Sequence, residues 1–187
     1  MLGHDAVAQA LVDHGVDTVF AVLGDGNLFI GESLERQHGV NLVGATHEAN
    51  AVCMAEGWAK ATGRLGVASV THGPGLTNTI TALVEGVKNG TPMVVVAGDT
   101  PIENEQHLQN LDQHALVVAT GAGFQPIRNV DTIAEDVSTA IRRAHSEHRP
   151  VVINIPLNIE WDEVDYEPRP ALTPTSQRLA ADPDRLE

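Results

Sequence analysis

Short unbroken apolar runs alternate along the chain with segments whose apolar residues recur every three or four positions. The runs DTVFAVL (17–23), NLVGAT (41–46), GVASVT (66–71), PMVVVAG (92–98) and PVVINIP (150–156) are bounded by Gly, Pro, Asn or Asp. Such runs predict buried strands, and a further strand is expected over 124–130. Residues 4–14 carry Ala6, Val7, Ala10 and Leu11 at helical spacing and stop at Gly15, a helix-ending glycine. Helices are likewise predicted over 28–37, 47–63, 75–88, 112–119 and 131–145. GDGN (24–27) reads as a turn, THGPGLTN (71–78) as a break, and 99–110 as polar and irregular. Strands that are apolar throughout and separated by helices indicate an α/β fold: a doubly wound, mostly parallel sheet of about six strands with helices on both faces. Ligands of such sheets sit outside the carboxyl ends of the strands, here at the loops GDGN, ATHE, THGPG and AGDTP. In the helix over 47–63, Ala51, Val52, Ala55 and Ala59 form one buried stripe. Glu48 falls on the same stripe, so a carboxylate is expected to point inward at the ligand edge.

Composition narrows the organisation. A length of 187 residues allows one ordinary domain and a short extension. Residues 1–160 are assigned to the domain. The stretch 161–187, with Pro168, Pro170, Pro174 and Pro183, is read as a linker toward an absent second domain, a disordered tail being the alternative. Its end, ADPDRLE, opens like another helix, with Asp182 as the cap and Pro183 in the first turn. Aromatics make up only 3% of the chain, so the core must be built from Val, Leu, Ile and Ala. No run approaches the roughly 20 apolar residues that cross a bilayer, and the opening MLGHDAVAQALVDHG is amphipathic rather than signal-like. The single cysteine, Cys53, fits a reducing compartment and is read as core filler. A soluble, cytoplasmic protein is expected. The net charge of −14 argues against nucleic acid and against an anionic membrane as partners. Within 1–127 the cations are Arg36, Lys60, Arg64 and Lys88, so this region is poorly equipped to hold a polyanion.

The blocks FAVLGDGN, THEANAVCMAEGWAKATGRLGVASVTHGPGLTNTITAL and PMVVVAGDTP, in that order, resemble the N-terminal pyrimidine-binding domain of thiamine diphosphate enzymes. The likeness is greatest to the acetolactate synthase and 2-oxoacid decarboxylase group, runs through VVINIP, and departs from it where FAVLG replaces the usual FGVPG. It implies a thiamine diphosphate cofactor and a 2-oxoacid substrate. The acid matching Glu48 would bond a ring nitrogen of the aminopyrimidine and favour the tautomer that activates the thiazolium carbon. An apolar wall raises the pKa of such a carboxyl while the helix N-terminus lowers it, and the sequence leaves the balance open. Read without the resemblance, a first-turn acid merely favours the helix dipole.

Gly24, Gly73, Pro74, Gly75 and Asn78 are further cofactor-side residues by the same resemblance, the glycines through close backbone approach and Asn78 through fixing its loop. His72 stands where many relatives carry a small hydroxyl residue, and it either orients a carboxylate, shuttles a proton or caps its loop. Asp25 and Asn27 line the first loop as substrate contacts or as turn formers. Gln109, with Gln113 as its rival, matches the glutamine directed at substrate. His4, His14, His38, His145 and His148 are read as solvated.

Gly24-Asp25-Gly26 imitates a magnesium and diphosphate signature but lacks the paired asparagines that complete it, since Asn50 is followed by Ala51. No metal ligand is assigned to this chain, and Mg2+ with the diphosphate falls to a separate domain or subunit in a homo-oligomer. The chain alone is expected to be inactive. A non-catalytic assembly module and the pyrimidine subunit of a split decarboxylase are the alternatives. A dinucleotide fold is disfavoured because GDGNLF stands where G-x-G-x-x-G is required.

Overall fold

A computed structural model describes residues 1–104 and 106–169. The final prolines and the ADPDRLE end lie outside the described residues. Six strands form one sheet: β1 (Thr18–Ala21), β2 (Asn41–Gly44), β3 (Gly66–Val70), β4 (Met93–Asp99), β5 (Gly123–Pro126) and β6 (Pro150–Pro156). Their order is β2-β1-β3-β4-β6-β5, and every pairing is parallel. The helices are α1 (Gly3–Asp13), α2 (Leu28–Glu32), α3 (Glu48–Thr62), α4 (Pro74–Thr77), α5 (Ile80–Lys88), α6 (Gln113–Ala119), α7 (Ile133–Glu147) and α8 (Leu157–Trp161). Among the described residues, no helix is long and apolar enough to cross a membrane.

The apolar strands are covered on both faces, as their composition predicts. Along β4, Val94 and Val96 join the core beneath α1 and α7, while Met93, Val95 and Ala97 join the core beneath α3 and α5. Successive side chains thus serve opposite cores, which is why the strand tolerates no polar alternation. The progression of strands reverses between β1 and β3: the chain lays β2 on one side of β1 and then returns to lay β3 on the other. That reversal opens a crevice at the carboxyl edge, flanked by the loops after β1 and β3.

Several boundaries differ from expectation for local reasons. Strand β5 stops at Pro126, past which the Ile127 N–H makes one more bond, to the Asn154 carbonyl at 2.8 Å. The helix predicted over 75–88 is two helices, parted where the Thr79 hydroxyl bonds the Leu76 carbonyl. Helix α2 continues as a π-helical run, Ser33–Gln37. Cys53 is exposed rather than core filler, because it lies across α3 from the Ala51, Val52, Ala55 and Ala59 stripe. Residues 162–166, read as linker, lie against the domain. Leu2 pairs with Glu163, Met1 and Val164 exchange two backbone bonds of 2.9 Å, and the Tyr166 hydroxyl donates to Asp13 at 2.7 Å.

Candidate active site

The loop after β1 is set by Asn27. Its side chain is fully buried: Oδ1 accepts from the Gly24 N–H at 2.8 Å, and Nδ2 donates to the Val22 carbonyl and to Ser69 Oγ on β3. Asn27 therefore ties the two sides of the crevice together, and its amide is committed to the fold rather than to a substrate. Asp25 stands at the top of this loop with its side chain 61% exposed. Its carboxylate accepts from the Thr71 hydroxyl at 3.1 Å, and that hydroxyl in turn accepts from the Gly26 N–H.

Glu48 opens α3 and is half-buried at the mouth of the crevice, not fully inside it. The buried acid of α3 is Glu56, two turns on. Glu48 Oε2 accepts from Asn78 Nδ2 at 2.9 Å. Asn78 thus orients the carboxylate across the crevice as well as ending α4. A Cβ on Gly75 would strike the Thr71 methyl at 2.8 Å and stand 3.6 Å from the other oxygen, Oε1, so Glu48 and Thr71 both pack close to this turn. Gly73 has φ of 60°, and a Cβ on it would run into the Gln109 carbonyl oxygen. The glycines of the GPG turn accordingly let Gln109 and Thr71 pack directly on its backbone. Gly24 packs instead on the Thr71 side chain, within the fold.

His72 is completely buried. Its ring is pressed against Gly26, where a Cβ would strike Nδ1. Nδ1 lies 3.4 Å from Thr71 Oγ1 and 3.9 Å from Asp25, and Nε2 is buried without a hydrogen-bond partner. The single hydroxyl proton of Thr71 goes to Asp25, and the Gln109 side chain also bears on the ring, favouring its protonated form. Burial pushes this imidazole below its ordinary pKa against the pull of Asp25, and the nearby His107 ring, 5.4 Å away, pushes the same way as burial.

The two glutamines divide. Gln113 is buried and bridges the fold, accepting from the Gly73 N–H at 2.8 Å and donating to the Gly98 carbonyl at 2.9 Å. Gln109 is half-buried beside the GPG turn, with its N–H bonded to His107 Nδ1. His4 is buried rather than solvated, held by the Glu160 carbonyl at 3.0 Å and ringed by Phe29 and Trp161.

Two buried acids escape any reading of periodicity. Desolvation favours the neutral form of Glu56, but bonds from Lys60, Asn89 and Thr91 outweigh it and hold the carboxyl below its usual range. Glu160 has no such partners, and burial followed by the charge of Asp25 pushes it up to about 8. Both follow helical patterns that look amphipathic, and only the partners in space tell them apart. Among the described residues there is no cluster of three or more His, Cys, Asp or Glu that could hold a metal.

Comparison with known proteins gives a single family. The model described as thiamine pyrophosphate enzyme, N-terminal TPP binding domain, matches residues 1–116. The sulfoacetaldehyde acetyltransferase of Rhodobacter capsulatus is 30% identical over 96% of this chain and 31% of its own length. The 2-hydroxyacyl-CoA lyase 2 of Danio rerio is 34% identical over 92% of this chain and 28% of its own. The acetolactate synthase isozyme 3 large subunit of Escherichia coli is 32% identical, over 84% and 28%. The chain thus spans less than a third of these relatives.

Proposed function

The chain belongs to the thiamine pyrophosphate enzymes, of which it carries the N-terminal TPP-binding domain, and from that premise we propose that it supplies the pyrimidine-binding half of a thiamine diphosphate site acting on 2-oxoacids. The observation that carries the reading is Glu48 held by Asn78 at 2.9 Å beside the side-chain-free Gly75, at the crevice where the strand order reverses. The residues fit the group: a half-buried carboxylate with one oxygen held by Asn78 and the other left for a ring nitrogen to meet, beside the GPG turn. When bound, thiamine diphosphate supplies a nucleophilic carbon and a sink for the electrons released as the 2-oxoacid carboxylate leaves.

Glu48 would hold, at Oε1, the proton shared with a pyrimidine nitrogen, and Asn78, through its bond to Oε2, keeps the carboxylate oriented. Gly73, Pro74 and Gly75 form the floor. His72 is the titratable ring within the chain's share of the site, faced by Thr71, Asp25 and Gln109. Gln109 borders the substrate. The diphosphate and Mg2+ are held by a different domain or subunit, in the same polypeptide or apart. By sequence, the segments 22 to 27, 45 to 48, 71 to 79 and 100 to 112 contain no Lys or Arg to meet a diphosphate, and Arg128 follows β5 at the far end of the sheet from the crevice, which supports this division. The exposed Leu23, Leu28, Ile102, Leu108 and Trp161 gather around the same edge and support its being covered by that other part.

The test is Glu48→Gln in the enzyme assembled with its diphosphate-binding part. We expect turnover on a 2-oxoacid to fall by about 10²–10⁴-fold with circular dichroism unchanged. Unaltered turnover would overturn the assignment and favour a non-catalytic assembly module. The chain by itself is expected to bind thiamine diphosphate only weakly, and tight stoichiometric binding in calorimetry would count against the division of labour.

A further inference from the structure

Gln113 is 2% exposed, and both ends of its side-chain amide are committed inside the chain. Oε1 accepts from the Gly73 N–H at 2.8 Å, in the turn after β3, and Nε2 donates to the Gly98 carbonyl at 2.9 Å, near the end of the central strand β4. A neutral amide supplies an acceptor at one end and a donor at the other without burying charge. The backbone that carries it is fixed as well. Gln113 is the first residue of α6, and Asp112 before it caps that helix by accepting from the Ala115 N–H at 2.9 Å. Gly98 has no space for a side chain, since a Cβ there would strike the Gly26 carbonyl oxygen.

From Gly73 the contacts run on to Glu48 without a gap. Gly73 precedes α4, its carbonyl accepts from the Thr77 N–H at 3.0 Å, and the Pro74 carbonyl accepts from the Asn78 N–H at 3.2 Å. Helix α4 has four residues, too few to be stable without outside support. Leu76, fully buried, anchors its middle, and the bond from Gln113 anchors the turn that leads into it. At the far end, Asn78 donates to Glu48 Oε2 at 2.9 Å.

We propose that Gln113 is a positioning residue for Glu48: by tying the Gly73 N–H to β4 it fixes the start of α4, and α4 carries that placement through Asn78 to the carboxylate. The inference rests on the reading of Glu48 as the acid that shares a proton with the pyrimidine. No bond is made or broken at Gln113. Its effect falls on the rate of the chemical step rather than on substrate binding, because a displaced acid leaves the rest of the site in place.

The test is Gln113→Met in the enzyme assembled with its diphosphate-binding part, alone and combined with Glu48→Gln. Methionine keeps the length of the side chain and loses both hydrogen bonds. Turnover (kcat) on a 2-oxoacid should fall by about 10–100-fold with KM unchanged, and in the Glu48→Gln background the same replacement should add little. A merely structural Gln113 would lower kcat by the same factor in both backgrounds. Gln113→Glu gives a second readout should the methionine variant fail to fold. Its ionised carboxylate repels the Gly98 carbonyl, whereas its protonated form accepts at one oxygen and donates from the other, as the amide does. Its kcat relative to the parent should therefore recover as the pH is lowered. In the chain without cofactor, the Gly73 N–H resonance and the Asn78 side-chain amide resonances should shift together in Gln113→Met or, at neutral pH, in Gln113→Glu. A Gly73 shift that does not reach Asn78 overturns the proposal whatever Glu48 does in catalysis. So does an unchanged kcat in Gln113→Met, an equal loss in both backgrounds, or a Gln113→Glu ratio indifferent to pH.

Discussion

Gly73 shows how little freedom single positions have at the crevice. Its φ of 60° belongs to the left-handed region, and a methyl group there would meet the Gln109 backbone. Gly73→Ala should cost about 1–3 kcal/mol in chemical denaturation and pull the 107–109 segment away from the turn. Glu160 gives a second outcome at this scale. The unfolded chain releases that proton near 4.5 and the folded chain near 8, so between these values the folded state holds one proton more. Stability should therefore fall as pH rises across that window, by roughly 1.4 kcal/mol per unit, and Glu160→Gln should flatten the slope. Neither buried acid was legible beforehand. In LNIEW and in AEGWAK a glutamate looks like the polar side of a helix, and whether it is roofed over depends on α1 in one case and on the turn before β4 in the other. Glu48 was visible as a polar residue on an apolar stripe, although the stripe runs out at the mouth of the crevice and leaves it half-buried.

Helix α3 shows what an element gains from such a residue. Its Ala and Val stripe packs on β3 with small side chains that let the two backbones come close, so that a Cβ on Gly66 would collide with the Ala55 carbonyl. Glu56 then fastens the helix to the segment between α5 and β4, through Asn89 at 2.8 Å and Thr91 at 3.1 Å, with Lys60 at 2.7 Å closing the outer side. Since its folded pKa lies below the ordinary glutamate value, the stabilisation is present above that ordinary value and is lost as acid takes the pH down through the folded one. Glu56→Gln should shrink this acid limb in thermal melts, and Asn89→Ala should cost about 1–3 kcal/mol by leaving the buried carboxylate short of a donor. Long, periodic helices such as α3 and α7 were recognisable from spacing alone. The five-residue α8 was not, because it follows a strand-ending proline and has neither a side-chain cap nor a repeat long enough to show a period.

At the scale of the molecule, the doubly wound architecture follows from strands that are apolar at every position, and the structure bears it out with six parallel strands. The strand order did not follow, because Val-rich runs are interchangeable in composition and only the packing of α1 and α7 against one face and α3 and α5 against the other selects neighbours. The loops of the ligand edge were readable from the chain, but which of them flank the crevice was not until that order was known. Ile102, 58% exposed, and Leu108, fully exposed, rise from the loop after β4 at the edge proposed to be covered. Replacing both with Ser should reduce concentration-dependent association in sedimentation velocity while leaving the melting temperature within about 2 °C of the parent. The flanks of the sheet tell a different story. Strands β2 and β5 each hold only four residues, and β5 closes on a proline. A foreign strand seeking to add itself to either margin finds too few open rungs to hold, so a molecule that is sticky at one end can remain free of fibrous aggregation along its sides.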